Sequence, residues 1–383
     1  MFMLVAFLAV FLLSALVFAF GALPASVAWY WRLVAMVPVA ALMGSIVLLR
    51  SGMLHGAWQT LTALLFAFVV AQVLMMPVLL FTLVGDHAGW PAGVVRSSRL
   101  VAWGVGAVTM VVMGIGSTYG WRHITTRDFA YTDERVPRAF EGYRIVQLSD
   151  FHLGTFRGHE AVVREVVERV NALRPDLIVF TGDLVSQQAD EVLPHIAALR
   201  GLRARDGIYS VMGNHDYLLY HPWPTPSERA REVGRLQAAE RSLGWHLLLN
   251  EHAIIARGGD TLAIVGIEND GRPPFPQRGR LDKACRHLPA GAFTLLLSHD
   301  PTCWRRRVVP DTDVALTLSG HTHGMQFGLL GWSPSAWLYP EWGGAYREGR
   351  QTLFVSTGIG AVGVPFRFGL WPEIACITLH RKA

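Results

Sequence analysis

The sequence has few cysteines and few charged side chains, and each shortage narrows the class of protein. The 383 residues include three cysteines, Cys285, Cys303 and Cys376, which lie far apart and form no Cys-x-x-Cys pair. They indicate neither a disulfide framework nor a cysteine zinc site. Charged residues make up 16% of the chain and hydrophobic residues 51%, and the mean hydropathy is +0.31. These values are too apolar for an ordinary soluble enzyme.

The shortage of charge is concentrated in the first 120 residues. The acidic and basic side chains of this stretch are Arg32, Arg50, Asp86, Arg96 and Arg99. The rest of the chain is nearly balanced in charge, so the net charge of +5 and the pI of about 9.3 partly reflect the front third. A balanced remainder argues against nucleic-acid binding as the main function.

Long uncharged apolar runs fill this front third and predict an all-α transmembrane region over 1–120. We expect four spans, near 3–23, 32–50, 60–84 and 99–120, because each run approaches the ~20 residues that cross a bilayer as a helix. Tryptophans lie at or near the ends of the runs, as in an interfacial belt. A cleaved signal peptide over 1–25 is an alternative, but no Lys or Arg precedes the apolar run.

The distribution of arginines favours a cytoplasmic position for everything after residue 120, by the positive-inside rule. Within the spans Gln72 is an isolated polar residue, and no ionisable side chain marks a transport path. We therefore interpret the region as an anchor. A transporter with an attached regulatory domain is the alternative, and it would need a polar lining in the spans.

A mixed-charge linker is expected over 121–140, and a second domain over 141–383. In this domain short apolar strands alternate with helical stretches and then follow one another directly. Strands are predicted at 143–148, 177–180, 208–211, 247–250, 253–256, 262–267, 293–297, 314–318, 353–355 and 374–379. Helices are predicted at 160–173, 189–199 and 227–243. This order indicates an α/β domain of two packed sheets with helices outside.

Polar residues of one kind follow five of these strands. They are Asp150, His152, Asp183, Asn214, His215, Asp216, His299, His321 and His323. Each alone has an ordinary interpretation as a helix cap, a turn residue or a hydrogen-bonded histidine. Their succession at the carboxyl ends of strands, where open α/β proteins keep their sites, predicts a shared functional site.

The residue types indicate metal binding. Carboxylate, carboxamide and imidazole groups suit borderline divalent ions, and there are enough of them for two ions. Asp183 is the best placed residue to bridge the ions through its two oxygens. Two ions ~3.5–4 Å apart can clamp the attacking and leaving oxygens of a phosphoryl displacement, and they lower the pKa of a shared water.

These motifs resemble the signature of the calcineurin-like metallophosphoesterases over residues 142–380. The likeness rests on Asp150-x-His152, Gly182-Asp183, Gly213-Asn214-His215-Asp216, His299 and Gly320-His321-x-His323. Within that family the chain most resembles the membrane-anchored bacterial subgroup, through Gly320–Gln326, Ser356–Gly360 and Pro372–Ile374. Met325 stands where a glycine is expected, and Ser186 where many members have a carboxylate. The resemblance implies a four-layer αββα sandwich and a multi-pass protein of the bacterial inner or plasma membrane.

The resemblance also implies roles for individual residues. One metal ion would be held by Asp150, His152, Asp183 and His323, and the second by Asp183, Asn214, His299 and His321. His215 would protonate the leaving oxygen, a general-acid role. Asp216 would orient the His215 imidazole by a hydrogen bond, or alternatively cap a helix. Mn²⁺ is the ion that we expect, and Fe or Zn²⁺ would accept the same ligands.

Two further stretches lie near the predicted site. Gly358-x-Gly360-x-x-Gly363 has the spacing of a dinucleotide fingerprint, but it opens no helix and no acidic residue follows at the required distance, so we predict no nucleotide cofactor. The aromatic stretch Trp332, Trp337, Tyr339 and Trp342 is either a packed loop or an apolar rim that admits a lipid-linked phosphate ester.

The predicted function is hydrolysis of a phosphate ester or pyrophosphate by a membrane-anchored, two-metal phosphoesterase. A lipid-linked substrate is favoured, such as a UDP-diacylglucosamine-type precursor. The first alternative is a phosphodiesterase acting on nucleotides or cell-envelope phosphodiesters. The second is a non-catalytic metal-binding membrane scaffold, which would be expected to lack some of the ligands or His215.

Overall fold

The computed structural model describes residues 2–23, 26–50 and 57–382. The chain divides into two compact units, Met1–Thr118 and Tyr119–Ala383. The division follows the change from an apolar, nearly uncharged sequence to one with the composition of a soluble domain.

The described residues of the N-terminal unit form α-helices joined by short turns. Its helices are α1 (Phe2–Gly21), α2 (Trp29–Val34), α3 (Val37–Arg50), α4 (Ala57–His87) and α5 (Ala92–Thr118). The turn between α4 and α5 is closed by an ion pair between Arg99 and Asp86, and Thr82 donates a hydrogen bond of 2.8 Å to Ser98. These contacts pair four polar side chains of the unit with one another, and others, such as Gln72, donate to backbone carbonyl oxygens, which satisfies polar groups in apolar surroundings.

Two helical segments of the described residues are long and apolar enough to cross a membrane, by length and composition. They cover Leu64–His87 and Ala92–Arg122 and correspond to the third and fourth predicted spans. Ala9–Gly21 and Trp29–Leu42 are shorter apolar segments in the region of the first two spans. Residues 51–56, between the second and third predicted spans, lie outside the described residues. The count of four spans therefore stays a prediction.

The C-terminal unit contains two six-stranded mixed sheets. One sheet has the strand order β1-β12-β2-β3-β4-β5 and the other the order β10-β11-β9-β8-β7-β6. Strands β2, β3 and β4 are parallel neighbours in the first sheet, and β7, β8 and β9 in the second. The strands are β1 (Thr125–Asp133), β2 (Arg144–Leu148), β3 (Leu177–Phe180), β4 (Ile208–Ser210), β5 (His246–Leu247), β6 (Glu251–Arg257), β7 (Asp260–Gly266), β8 (Phe293–Leu297), β9 (Leu316–Ser319), β10 (Gly344–Glu348), β11 (Gln351–Val355) and β12 (Glu373–Arg381).

Helices cover the outer faces of both sheets. They are α6 (Glu160–Ala172), α7 (Ile196–Leu199), α8 (Pro226–Ser242), α9 (Leu281–Ala284) and α10 (Val309–Asp311). Short 3₁₀ turns include Leu153–Phe156, Ala189–His195, His215–Tyr217, His323–Gln326 and Pro334–Trp337, and Trp304–Val308 forms a π turn.

Alternation along the strands explains the four layers. Ile145 of β2 packs between the sheets with Leu295 of β8, whereas its neighbour Val146 packs outward against Val166 of α6. On the other sheet Leu296 packs outward against Trp304. Successive side chains of a strand point to opposite faces, so an apolar run with both faces covered serves two cores at once. The predicted pair of sheets with helices outside is confirmed for this unit.

Two parts of the expected organisation differ from the structure. Residues 121–140, which we expected to be a linker, contain β1, and β1 pairs in parallel with β12 along its whole length. The stretch expected to be one helix over 189–199 is a 3₁₀ segment followed by α7, and Pro194 lies at the junction. Pro194 lacks the N–H that a continuous α-helix needs, so the helix begins only after it.

Candidate metal centre

All seven predicted metal ligands lie at the carboxyl ends of parallel strands. Three strands come from the first sheet and two from the second, so the site lies at the edge where both sheets open. Asp150 and His152 follow β2, Asp183 follows β3, Asn214 follows β4, His299 follows β8, and His321 and His323 follow β9. The side chains of this set are buried or nearly so.

The backbone at these strand ends is strained. Five of the predicted ligands have positive φ values between 46° and 74°: Asp150, His152, Asp183, His321 and His323. Residues other than glycine rarely adopt this conformation, and it persists where the surrounding structure enforces it, typically at functional sites. Close packing adds to the constraint, because a Cβ on Gly213 would lie 2.2 Å from an oxygen of Asp183, and one on Gly320 2.2 Å from Asp150.

The first group of potential ligands consists of Asp150, His152 and His323. Nε2 of His323 lies 3.0 Å from Nε2 of His152 and 3.3 Å from Oδ1 of Asp150. Burial lowers the pKa of both histidines well below the usual range, so the imidazoles are neutral. Neutral imidazole is the form that coordinates a metal ion.

The second group consists of Asp183, Asn214, His299 and His321. The amide oxygen of Asn214 lies 2.8 Å from Nδ1 of His321 and 3.1 Å from Nε2 of His299. Nδ1 of His299 is 2.8 Å from the carbonyl oxygen of Thr181, to which it donates, so Nε2 is directed into the cluster. Oδ1 of Asn214, Nε2 of His299 and Nδ1 of His321 therefore lie together beside the Asp183 carboxylate.

Asp183 connects the two groups. Its Oδ2 lies 3.2 Å from Nε2 of His299 and 3.6 Å from Nε2 of His152, while Oδ1 accepts a hydrogen bond of 2.8 Å from the backbone N–H of His215. Burial raises the pKa of this carboxyl, but the surrounding imidazoles, His299 foremost, outweigh it and hold the pKa well below its usual range. Asp183 is therefore ionised and central, as a bridging ligand must be.

The titration of the other site groups follows from the same charges. Burial lowers the pKa of His321 to about 4. Burial also opposes the charged form of His299, but Asp183 and Asp150 outweigh it and raise the pKa of that ring to about 10. Burial raises the pKa of Asp150 to about 6. At neutral pH His299 therefore carries a proton that it would have to release to bind a cation.

His215 lies at the mouth of the cluster. Its Nδ1 donates a hydrogen bond of 2.7 Å to the carbonyl oxygen of Ser186, which leaves Nε2 available on the other side of the ring. The ring stands edge-on to His152, with centroids 4.7 Å apart, and lies 4.1 Å from the ring of Tyr220. The position of His215 beside both groups suits proton transfer to a group bound there.

The contacts of Asp216 match neither of the two roles that the sequence suggested, orientation of the His215 imidazole or a helix cap. Its carboxylate accepts hydrogen bonds from the backbone N–H groups of Asp183, Leu184, Val185 and Gly213, and Ser186 rather than Asp216 contacts the His215 ring. A carboxylate can accept several N–H groups where a neutral residue cannot. Asp216 therefore holds the β3 and β4 ends against each other, and the predicted hydrogen bond to the His215 imidazole is absent among the described residues.

Arg367 is a site residue that sequence reasoning missed. The side chain is fully buried, and it donates to the carbonyl oxygens of Gly360 and Thr357, both at 2.8 Å, and to Nδ1 of His323 at 3.1 Å. Because guanidinium only donates, Nδ1 of His323 accepts and the ring proton resides on Nε2. The sequence feature that could have drawn attention to Arg367 is its isolation, since it is the one charged residue between Arg350 and Glu373.

Two tyrosines and an aspartate contact the second group from behind. Tyr339 Oη lies 3.0 Å from Nε2 of His321, and Asn214 Nδ2 donates a hydrogen bond of 2.9 Å to Tyr220 Oη. Asp300 Oδ2 lies 3.5 Å from the same Nε2 and has no other polar partner within the described part of the chain. These contacts orient the His321 ring and turn the Asn214 oxygen into the cluster. Only the presence of Tyr339 in the aromatic stretch hinted at them in the sequence.

The donor set fits divalent metal ions. Ligand atoms lie within 4.8 Å of one another in three overlapping groups: Asp150, His152 and His323; His152, Asp183 and His215; and Asp183, His299 and His321. Nitrogen and oxygen donors without thiolate suit Mn²⁺, Fe and Zn²⁺. Buried carboxylates and imidazoles that converge in this way are stabilised by a bound cation, since their charges and lone pairs otherwise repel.

Comparisons with known proteins agree with this geometry. Residues 143–325 match the family model of the calcineurin-like phosphoesterases. The chain is 30% identical over 297 residues to the uncharacterized metallophosphoesterase YkuE of Bacillus subtilis, in a match covering 72% of this chain and 94% of that protein.

Two vertebrate proteins are also similar. Both are named "Transmembrane protein with metallophosphoesterase domain". The Danio rerio protein is 32% identical to this chain over 256 residues, and the Bos taurus protein is 32% identical over 257 residues. The matches cover 65% and 64% of this chain and 55% of each relative, so the chain spans about half of their length. The family match, the YkuE relative and the cluster at the strand ends together show that the chain belongs to the calcineurin-like phosphoesterase family.

Proposed function

We propose that this protein is a membrane-anchored phosphoesterase that hydrolyses a phosphate ester or pyrophosphate with two divalent metal ions. The observation that carries the proposal is the convergence of six residues with nitrogen or oxygen donors around Asp183, at the ends of five strands. Convergence of buried titratable groups in a cleft is typical of a catalytic site.

Asp150, His152, Asp183 and His323 would hold one ion, and Asp183, Asn214, His299 and His321 the other. When bound, such ions supply a nucleophilic water of lowered pKa and neutralise charge on the phosphoryl group. The protein's own contribution is to set the donors in place. Arg367, Tyr339 and Tyr220 orient three of these ligands, and Asp216 fixes the backbone that carries Asp183.

His215 is the proposed general acid. The carbonyl oxygen of Ser186 accepts a hydrogen bond from Nδ1–H, so Nε2 is the nitrogen that delivers a proton to the leaving oxygen. The hydrogen bond fixes the ring, and Tyr220 packs against it. The complete set of donors, together with His215, argues against the alternative of a non-catalytic metal-binding scaffold.

A lipid-linked substrate, such as a UDP-diacylglucosamine-type precursor, is the more specific proposal. Its support is the apolar front third of the chain and the exposed Trp337, which lies in the chain two residues before Tyr339, a contact of His321. Trp342 is half-buried against Gly324 and is therefore part of the packed loop. Nucleotide or cell-envelope phosphodiesters remain the alternative substrates.

The assay compares purified wild-type protein with His215→Ala in detergent, with Mn²⁺ present. Substrates are a phosphomonoester, a generic phosphodiester and a UDP-diacylglucosamine lipid. Metal-dependent turnover that falls by about 10²–10⁴-fold in the variant supports the proposal. Turnover of the lipid alone supports the lipid assignment, and turnover of the generic esters alone rejects it. No turnover of any substrate, with metal bound, would favour the scaffold.

The four-span, cytoplasmic-side topology is a further part of the proposal. It places the loop at 85–98 on the opposite side from the C-terminal unit. Cysteines introduced at exposed Ala88, in the turn between α4 and α5, and at exposed Leu193, each in a Cys285→Ser background, should then react with an impermeant reagent from opposite sides of intact membrane vesicles. Reaction of both from the same side would contradict the four-span count.

A further inference from the structure

The C-terminal unit has an exposed apolar surface beside the metal centre. Two loops form it, residues 325–338 and residues 362–371. Its most exposed side chains are Leu330 at 98%, Trp337 at 77%, Leu338 at 62% and Leu329 at 55%. We call this the apolar loop surface. A contiguous exposed patch of large apolar side chains marks a contact with a partner or a membrane.

The two loops are joined to each other and form one structure. Gly328 N–H donates to Phe368 O at 2.7 Å, and Phe368 N–H donates to Gln326 O at 2.9 Å. The rings of Phe327 and Phe368 stack with centroids 5.9 Å apart. Because backbone pairing holds the loops together, the surface is preformed.

Leucine is unfavourable at position 330 for two reasons. The backbone there has a positive φ, and the apolar side chain is exposed to solvent. Leu329 and Trp332 exchange backbone hydrogen bonds of 2.9 and 3.0 Å, so Leu330 and Gly331 form a two-residue turn, with φ of 51° and 79°. Such turns favour Asn-Gly or Asp-Gly, since a branched residue at positive φ is strained. An almost fully exposed leucine there is consistent with a side chain that is used to contact an apolar phase.

Charge is nearly absent from the surface. No Asp, Glu, Lys or Arg lies between Asp313 and Glu341, and in the second loop the guanidinium of Arg367 is buried. Tryptophan and leucine without neighbouring charge are the composition of the bilayer interface, where an indole ring lies at the level of the lipid headgroups.

The first residues of the C-terminal unit also lie at this surface. Helix α5 ends at Thr118, and Tyr119, the next residue, packs against Trp371 with ring centroids 6.1 Å apart. His123 lies 5.7 Å from the same ring. The apolar loop surface is therefore continuous with the segment that follows a helix able to cross a membrane. This continuity favours a lipid bilayer over a second protein as the occupant.

We propose that the apolar loop surface lies in the headgroup region of the bilayer, with Leu330 and Trp337 inserted among the lipids. The contact would bring the metal centre close to the membrane, because Ser333 Oγ donates to Gly324 O and Tyr339 contacts His321. The proposal concerns membrane contact alone, so it does not depend on which phosphate ester is hydrolysed.

The test uses the full chain in lipid nanodiscs. An environment-sensitive fluorophore is attached to Leu330→Cys in a Cys285→Ser background. Cys285 is replaced because it is half-buried and could also be labelled, whereas Cys303 and Cys376 are buried. Leu193→Cys is the matched control, since Leu193 is also an exposed leucine of this unit, at 58%. A second labelled variant, Trp337→Cys, reports on the same surface independently.

Lipids with a shallow spin-label quencher should reduce emission from positions 330 and 337 at least three-fold more than from position 193. Aqueous iodide should quench position 193 preferentially. Equal quenching at all three positions by iodide, with no effect of the lipid quencher, would overturn the proposal. Disulfide-linked dimers through Leu330→Cys would also overturn it, because a second copy of the chain would then be the occupant.

Discussion

At the scale of single residues, the site depends on side chains that contact the potential ligands from outside the cluster. Tyr339, Tyr220, Asp300 and Arg367 each place a polar atom against His321, Asn214 or His323. Groups in this position fix the orientation and tautomer of metal-binding histidines. Because a phenol both donates and accepts, Tyr339 can hold Nε2 of His321 in either tautomer.

The first prediction concerns Tyr339→Phe. Removal of the hydroxyl should lower the affinity for the ion held by the second group by about 10–100-fold, because Tyr339 contacts His321 of that group. The ion held by the first group should stay bound. Metal content at limiting Mn²⁺, measured by elemental analysis after dialysis, should fall towards one ion per chain. Tyr346→Phe is the control, since its hydroxyl contacts only backbone atoms of Trp342 and Gly343. Equal metal affinity in the two variants would show that Tyr339 has no such role.

The ligand set could be predicted from residue types and from the ends of strands. Contacts between residues far apart in the sequence could not. Short apolar runs followed by Asp, Asn or His marked the positions of Asp150, Asp183 and His299. The partners of Asp216 and His215 were not predictable, since backbone groups of Leu184 and Ser186 have no signature in the side-chain sequence. Arg367 is 44 residues from His323, and the hydrogen bond between them follows only from the fold.

At the scale of elements, the loop after β3 carries the contact that fixes His215. Glu191 organises it, because its carboxylate accepts backbone N–H groups from Ser186, Gln187 and Gln188 at 2.6 to 3.0 Å and from Gly154 at 2.9 Å. Each such group left without an acceptor costs about 1–3 kcal/mol where it is buried. A change at Glu191 should therefore loosen the loop and, through Ser186, the His215 ring.

The second prediction is that Glu191→Ala lowers kcat at least ten-fold and leaves two metal ions bound, since Glu191 contacts none of the ligands. Steady-state kinetics on a generic phosphate ester and metal analysis of the same sample measure both effects. Glu165→Ala is the matched control, because Glu165 lies on α6 in an exposed pair with Arg169. A wild-type kcat in Glu191→Ala would exclude the role given to this loop.

Helix α8 carries a buried acid that should make stability depend on pH. Burial and the nearby Asp216 raise the pKa of Glu240 to about 8, from an ordinary value of 4.5. The folded state therefore holds this proton more tightly than the unfolded state does. The contribution of Glu240 to stability is full below pH 4.5 and is lost as the pH rises to about 8, with a slope of up to about 1.4 kcal/mol per pH unit.

The third prediction is that Glu240→Gln removes this slope. The variant should gain stability relative to wild type as the pH rises from 5 to 8, because an amide has no proton to lose. Urea unfolding of the detergent-solubilised protein, followed by tryptophan fluorescence, gives the free energy at each pH. Glu232→Gln, on the same helix and paired with Arg235, should show the wild-type slope. Parallel curves for Glu240→Gln and wild type would contradict the account.

Strands could be predicted from the sequence where both of their faces are apolar. Strands at the edges of the sheets were harder to predict. The central strands β2, β3 and β8 appear as short apolar runs. Strand β1 at the sheet edge is mostly exposed and mixes charged with apolar residues, and its partner β12 lies at the other end of the chain, so it resembled a linker. Strand β10, also at an edge, was missed because it too is largely exposed and mixes charged with apolar residues.

At the scale of the whole molecule, one chain joins an apolar helical unit to a phosphoesterase-family unit. The sequence indicated this division through its distribution of charge. It did not show the apolar loop surface as a surface, because loops 325–338 and 362–371 meet only in the folded unit. The membrane then has two proposed roles, as the medium for the helices and as a surface against which the catalytic unit lies.

The central claim is that Asp183 joins two metal ions in one catalytic centre. The most direct measurement is the metal content and metal-dependent phosphodiesterase activity of wild type and Asp183→Ala, purified in the same detergent. The account predicts about two divalent ions per wild-type chain. In Asp183→Ala it predicts at most one ion and a loss of at least 10³-fold in kcat. Two ions retained by the variant, or undiminished turnover without Asp183, would contradict the account.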